Sequence, residues 1–315
     1  MKILNIEDIS ALRTKTIVTV GMFDGLHIGH RHLISQLMEQ SAKFDLEPVV
    51  VTFDCHPRIV MEPSTQLTLL STEKERLQQL EECGVPTVAL IHFTPETAAL
   101  SACSFVRGFL CGRLNMKSLL LGYDNRFGSH CNNDFDKLPS LATELGFDIC
   151  RDEAVVLNGV EVSSTKIRQA LSHGDIDTAN AMLGAPYSLS GTVVHGRHVG
   201  TSMGFPTANI MPDDSYKMLP STGVYALRAT VNGSKYRAMA NLGSQPTFNR
   251  QQQTLEVHLF DFEGDLYDSI IKVEFLKHIR DIRFFNSPSE LAEQLSHDKV
   301  MVNSFFEKLT TKERL

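Results

Sequence analysis

From the start of the chain to about Gly184, short continuous apolar runs alternate with stretches of helical period. Residues 16–20, 48–53, 87–91 and 118–121 are β-branched or leucine-rich and of strand length. Between them, 30–41, 72–83, 102–113 and 134–145 carry apolar residues at helical spacing. Strands that are apolar on both faces and separated by helices predict a parallel sheet covered on both sides, a doubly wound α/β domain. Ligands of such sheets sit beyond the carboxyl ends of the strands. The loops after Val20, Phe53 and Leu121 are therefore where chemistry is expected.

After Gly184 the rhythm changes. Residues 224–231 and 235–242 flank Asn232-Gly233, a pair that predicts a hairpin with a type I′ turn. Along 254–260, Leu255, Val257 and Leu259 alternate with Glu256 and His258. A turn at 263–265 and a further strand at 270–275 complete an antiparallel meander, expected to form a small β-barrel. The chain closes with a helix whose start reads as a capping box: Ser287 at N-cap, Pro288 at N1, Glu290 at N3. Its apolar stripe of Leu291, Leu295, Val302, Phe305, Phe306 and Leu309 should pack on the barrel. The pattern divides the chain into domains at 1–184 and 185–315.

Composition sharpens this. At 315 residues the chain is longer than one core usually supports. Hydrophobic content of 42% and charged content of 21% exclude disordered and coiled-coil classes. A net charge of −7 argues against general binding to nucleic acid or an anionic membrane. All six cysteines precede residue 151 and none forms C-x-x-C, so neither a zinc ribbon nor a thioredoxin-type site is indicated. The first residues are too polar for a signal peptide, and no apolar run approaches the ~20 residues that span a bilayer. A soluble, cytoplasmic protein with reduced thiols and small-molecule partners is expected. Nothing in the pattern indicates an oligomeric state.

The densest cluster of chemistry follows Val20, where Gly-Met-Phe-Asp-Gly-Leu-His-Ile-Gly-His occupies 21–30 ahead of a helix. Gly21 and Gly25 permit a tight turn and close approach of a ligand to the backbone. His27 and His30, three apart with Gly29 between them, share one side of a helix entrance. A helix N-terminus offers free N–H groups and partial positive charge to phosphate. Imidazoles there can donate hydrogen bonds as charge builds in a transition state. The string is not G-x-G-x-x-G, and a zinc pair would lack a third ligand by spacing.

The H-x-G-H element resembles the nucleotidyltransferase superfamily, and the longer string resembles the bacterial bifunctional riboflavin kinase/FMN adenylyltransferase (FAD synthetase) family. Further stretches share the resemblance: Thr52-Phe53-Asp54-Cys55-His56-Pro57, the Gly-Tyr-Asp-Asn-Arg-Phe-Gly of 122–128, and Ser163-Ser164-Thr165-Lys166-Ile167-Arg168. In the second half they are Gly-Phe-Pro-Thr-Ala-Asn-Ile at 204–210 and Leu-Glu-Val-His-Leu at 255–259. The resemblance spans nearly the whole chain.

It implies a Rossmann-like nucleotidyltransferase domain followed by a kinase barrel, with ATP as co-substrate, Mg²⁺ as cofactor, and riboflavin, FMN and FAD as substrates and products. It implies that His27 and His30 contact ATP phosphates during adenylyl transfer. Gly21, Phe23, Asp24, Gly25, Gly29, Ser164, Thr165 and Arg168 complete the nucleotide-binding set. His56, Pro57, Asp124 and Phe127 are the implied flavin or nucleotide loop residues. In the second half it implies Glu256 as catalytic base and Thr207 and Asn209 at the Mg²⁺ site; read alone, Glu256 is a solvated strand carboxylate. Departures from the family pattern fall at Cys55, Asn125, Thr201 and Gln245. The last two remove cations expected near a triphosphate, which leaves an FMN adenylyltransferase with an inactive kinase half as a second reading. A non-catalytic flavin-responsive regulator is a third.

Overall fold

The computed structural model of the chain describes residues 1–6, 11–62, 67–123, 135–196, 204–247 and 250–313. These form two compact units, Met1–Ser164 and Thr165–Leu315.

The first unit runs β1 (Lys2–Asn5), β2 (Thr16–Val20), α1 (Ile28–Phe44), β3 (Glu47–Phe53), α2 (Pro57–Met61), α3 (Glu73–Glu82) and β4 (Thr87–Ile91). It continues with α4 (Pro95–Ala98), α5 (Ala102–Phe105), β5 (Met116–Leu121), α6 (Leu138–Leu145) and β6 (Asp148–Arg151), then a two-stranded hairpin of β7 (Val156–Leu157) and β8 (Val160–Glu161). The first six strands form one parallel sheet in the order β1-β4-β3-β2-β5-β6.

Every residue of β2 is buried, which is why its sequence carries no polar alternation. Val18 and Val20 feed one core, with Val49, Val51, Leu119 and Leu121. Ile17 feeds the other, with Val50, Val88 and Leu120. Because β2 lies between β3 and β5, the strand order reverses beside it, and the crevice at its carboxyl end is where a doubly wound sheet holds ligand.

Two expected helices differ from their pattern. Over 102–113, α5 gives way to a π-helical turn, Val106–Cys111. A Cβ at Gly112 would stand 2.5 Å from the Gly108 carbonyl oxygen, so the residue just past the widened turn must be glycine. Over 134–145 the helix proper starts only at Leu138, after a 3₁₀ turn at Phe135–Lys137. The unpredicted edge strands β1 and β6 are four residues long and partly exposed, too short for a pattern to register. Cys55, Cys83, Cys103, Cys111 and Cys150 are free and half-buried, as expected for reduced thiols. Cys131 lies outside the described residues.

The second unit carries α7 (Ser164–Ser172, starting at the division), α8 (Ile176–Leu183), β9 (Tyr187–Val194), β10 (Ala208–Pro212), β11 (Gly223–Val231), β12 (Ser234–Thr247), β13 (Arg250–Leu259), β14 (Ile270–Arg280) and α9 (Pro288–Glu313). Its strands close into an antiparallel barrel, β10-β13-β12-β11-β14-β9. Asn232 and Gly233 both take positive φ, 48° and 80°, as a type I′ turn requires. Val302 and Phe306 of α9 pack against Phe205, Ala226, Met239 and Phe260. Ser287 Oγ accepts the Glu290 N–H at 3.2 Å, but the Glu290 carboxylate accepts from Asn286 rather than from Ser287, so the expected capping box is only half made.

The division at Ser164 precedes the boundary expected at Gly184, and hydrogen bonds explain the difference. Asn180 Nδ2 donates to the Phe275 carbonyl at 2.8 Å, and its Oδ1 accepts the Tyr187 N–H at 2.7 Å. Ser221 N–H donates to the Leu171 carbonyl at 2.9 Å. Helices α7 and α8 are thereby tied to the barrel. Replacing Asn180 by alanine leaves both partners unsatisfied and should cost about 1–3 kcal/mol. A lower urea midpoint with faster hydrogen exchange at the Tyr187 amide is the expected outcome.

Candidate active sites

The chain leaves the buried end of β2 through residues 21–27, a loop that few sequences could adopt. Phe23 and Leu26 hold φ at 52° and 38°, and Gly25 at 78°. Left-handed backbone at two bulky residues is strained and persists only where its surroundings enforce it. Phe23 is buried in the core beside Leu33 and Leu120. A Cβ at Gly21 would meet the Phe23 ring at 3.1 Å.

The loop delivers His27 as N-cap of α1, its Nδ1 accepting the His30 N–H at 3.3 Å. That leaves Nε2 as the protonated nitrogen of a neutral His27. The two imidazoles stack, centroids 3.6 Å apart and planes 15° from parallel, and the Phe23 ring meets His30 edge-on at 5.2 Å. Burial, then the neighbouring His27, holds the His30 pKa well below the usual histidine value. Its Nδ1 is buried and has no hydrogen-bond partner among the described residues. A Cβ at Gly29 would press on the His27 ring at 3.2 Å, so glycine is what lets the stack form.

Asp24 is almost fully buried. It accepts from Leu70 N–H at 3.1 Å, Ser71 N–H at 2.9 Å and Ser71 Oγ at 3.1 Å. Gly25 N–H returns a bond to Ser71 Oγ, and Ser164 Oγ donates to the Asp24 carbonyl at 2.9 Å. The structure thus gathers Gly21, Phe23, Asp24, Gly25, His27, Gly29, His30 and Ser164 around one loop, with Phe23 and Asp24 serving to hold its shape. Thr165 and Arg168 lie on α7 within the second unit.

At the end of β3, His56 caps α2 by accepting the Arg58 N–H, with Pro57 in the first turn. Asp54 accepts from the backbone of Cys55 and Phe93 and pairs with His92. Burial raises its pKa, but these partners outweigh burial and hold it below the usual carboxylate value. Burial, then Asp54, pushes the Cys55 thiol up to about 11, so it is protonated at neutral pH. Asp124, Asn125 and Phe127 lie outside the described residues, as does Thr201.

In the barrel, register builds the second site. Glu256 on β13 stands opposite Asn209 of β10 on one side and Asn241 of β12 on the other. Three polar residues therefore form a row across three strands, on the face opposite Leu255 and Val257. A cavity of about 280 Å³ opens there, lined by Thr207, Asn241, Glu256 and His258 and walled by apolar residues including Leu291 and Leu295 of α9. A second cavity of about 160 Å³ has Pro206, Gly264, Asp265 and Tyr267 in its lining. Thr207 borders both. His258 Nδ1 donates to the Pro206 carbonyl at 2.8 Å, fixing the turn before Thr207, and burial lowers its pKa. Arg280 grips Asp298 at 2.6 Å, joining β14 to α9 in the wall of the larger cavity.

The residues suit a hard cation. Thr207 and Asn209 supply neutral oxygens, and the Glu256 carboxylate faces Asn209 in register. A Cβ at Gly196 would fall 1.9 Å from Asn209 Nδ2, so glycine reserves the space that the amide occupies. No group of three or more His, Cys, Asp or Glu side chains that could hold a metal occurs among the described residues. A metal here would share its coordination with substrate and water.

Sequence reasoning missed Arg76, Ser71, Asn241, His258 and Asp298. Arg76 did leave a signal, a cation one turn ahead of Leu80 on the buried side of α3. Asn241 follows from pairing the two hairpins.

Residues 9–166 match the FAD synthetase family model, and residues 183–306 match the riboflavin kinase model. The chain is 38% identical over 291 residues to the bifunctional riboflavin kinase/FMN adenylyltransferase of Escherichia coli K12, covering 92% of each. With that of Bacillus subtilis the identity is 35% over 305 residues, 94% of each chain. With that of Buchnera aphidicola from Acyrthosiphon pisum it is 33% over 310, covering 97% of this chain and 98% of the relative. A crystal structure described as a macrolide-efflux protein from Streptococcus pneumoniae superposes with a TM-score of 0.87 at 32% identity, covering 96% of this chain and 98% of that one. Among the described residues, however, no helix is long and apolar enough to cross a membrane. Full-length relatives, both domain matches and the two candidate sites agree: the chain belongs to the bifunctional riboflavin kinase/FMN adenylyltransferase family, with a FAD synthetase domain and a riboflavin kinase domain.

Proposed function

We propose that the two reactions are divided between residues 1–184 and 185–315, with riboflavin phosphorylated at Glu256 and the resulting FMN adenylylated at His27 and His30. The observation that carries the kinase half is the position of Thr207 between two cavities, next to the Asn209–Glu256–Asn241 row. The larger, more apolar cavity suits a flavin ring, and the smaller suits part of ATP. An alcohol is a weak nucleophile, so Glu256 accepts the proton of the riboflavin 5′-hydroxyl as its oxygen attacks the γ-phosphorus and ADP leaves. Thr207 and Asn209 would hold Mg²⁺, which when bound neutralises charge on the triphosphate.

Adenylyl transfer needs no strong base, because the FMN phosphate is largely ionised near neutral pH. Its oxygen attacks the α-phosphorus of ATP, the bond to the β-phosphate breaks, and pyrophosphate leaves. His27 Nε2–H and the α1 N-terminus supply donors to the phosphates, and stacking holds both imidazoles in place. Ser164, Thr165 and Arg168 complete nucleotide binding, and His56, Pro57, Asp124 and Phe127 border the flavin. Activity is assigned to 1–184 and 185–315, which the family matches ending at 166 and beginning at 183 support. Dependence on ATP and the half-buried free thiols support a cytoplasmic setting.

Separate assays of the two half-reactions test this. Glu256→Ala should lower FMN formation by about 10²–10⁴ while FMN-to-FAD conversion continues. His30→Ala should do the reverse, by about 10²–10³. Loss of both reactions in either folded variant would overturn the two-site assignment, and FAD formed from FMN but not from riboflavin would leave only the adenylyl half.

His30 also sets a pH limit. Its folded pKa lies below the unfolded value of about 6.5. The unfolded state therefore takes up a proton first, and stability intact above about pH 6.5 is lost progressively below it. Thermal unfolding at pH 7.5 and 5.5 should show a smaller acid-side drop for His30→Gln than for the parent.

A further inference from the structure

Arg76 is the buried cation that adenylyl transfer, as derived above, does not use. It lies on α3 with about 1% of its surface exposed, so no substrate can reach it. Its Nη2 donates to the carbonyl of Phe53, the last residue of β3. The carboxylates acting on it are Asp24 from the loop after β2, Glu73 on its own helix and Asp54 from the loop after β3. Burial, the largest effect, lowers its pKa, and those three carboxylates oppose the shift without cancelling it. Its Nε is buried without a hydrogen-bond partner among the described residues.

The bond to Phe53 fastens α3 to the end of β3, and the start of the same helix receives the loop after β2. Asp24 is fixed by Leu70 and Ser71, just ahead of α3. Asp54 is fixed by Phe93, just past β4. The loop after β2 is thus tied to the segment ahead of α3, the loop after β3 is tied to the segment after β4, and Arg76 ties α3 itself to the end of β3. A buried cation among carboxylates is often no more stable than an apolar replacement of similar volume, so stability alone is a poor reason for it. What it fixes is geometry: the strained turn from Gly21 to Leu26 ends at His27, and the turn is braced through Asp24.

We propose that Arg76 is a positioning residue for adenylyl transfer: it holds α3, whose start anchors Asp24 of the His27/His30 loop, to the end of β3 so that both imidazoles meet the nucleotide phosphates. The proposal rests on the assignment of His27 and His30 to that reaction. Misplacement of catalytic groups by about 1 Å can cost 10²-fold in rate with little change in binding.

The test uses the full chain and assays the two half-reactions separately for Arg76→Met and Arg76→Lys, with His30→Ala alongside. The expected result for Arg76→Met is a kcat for FMN-to-FAD conversion reduced about tenfold or more, with KM for FMN and ATP within about threefold. Riboflavin phosphorylation by the same sample should be unchanged, and Arg76→Lys should recover part of the loss by restoring the charge without the fork. A kcat within about twofold of the parent overturns the proposal, as does a KM rise with kcat retained, which would make Arg76 a binding residue. If Arg76→Met does not fold, Arg76→Lys decides: a reduced kcat at unchanged KM supports the role, and parental kinetics overturn it. Failure of the underlying reading is distinct, because His30→Ala would then retain FAD formation.

Discussion

The carboxylate of Asp24 is nearly inaccessible to water, and two N–H groups and a hydroxyl from Leu70 and Ser71 replace its hydration. Much of the first unit follows from that substitution. A buried β2 must end in a segment whose backbone groups still need partners, and the segment from 21 to 27 finds them only by adopting left-handed residues that cost energy. The bonds at Asp24, Gly25 and Ser164 hold that conformation in place. The strain is thus held by interactions a few ångströms from the histidines, and the reward is two imidazoles stacked at a helix N-terminus.

The barrel reaches a comparable end by different means. Its site owes little to loop strain and much to the period of two. Once Asn232-Gly233 sets the first hairpin, pairing carries Asn241, Glu256 and Asn209 into one row. Slippage by one residue would turn Glu256 into the barrel interior and expose Leu255 or Val257, so the hydrophobic core and the polar row enforce each other. Helix α9 then converts that row from a surface into a cavity wall, held by the Arg280–Asp298 pair and by Val302 and Phe306.

The central strands were plain in the sequence because each is a short apolar run buried on both faces. The I′ hairpin was plain because two adjacent residues with positive φ leave few alternatives to Asn-Gly. Strands β1 and β6 carried no such pattern, since edge strands are half exposed. The π turn after α5 depends on contact with its surroundings and has no period of its own. Among site residues, His27, His30, Thr207, Asn209 and Glu256 stood in motifs and could be named. The parts played by His258 and Asp298 were not legible, because each acts on a residue distant in sequence, His258 on Pro206 and Asp298 on Arg280.

The sequence by itself determined the layer types, the hairpin register and the residue types able to handle phosphate and a hydroxyl nucleophile. Those are local properties, fixed by side-chain period and backbone preference within a few residues. Only the tertiary structure decided that Asp24 bonds to Leu70 and Ser71, that the Phe23 ring meets His30, and that Thr207 borders two cavities. It also bonds α7 and α8 to barrel segments, through Ser221 and Asn180. These are matters of which groups lose water together, and burial is a property of the assembled chain.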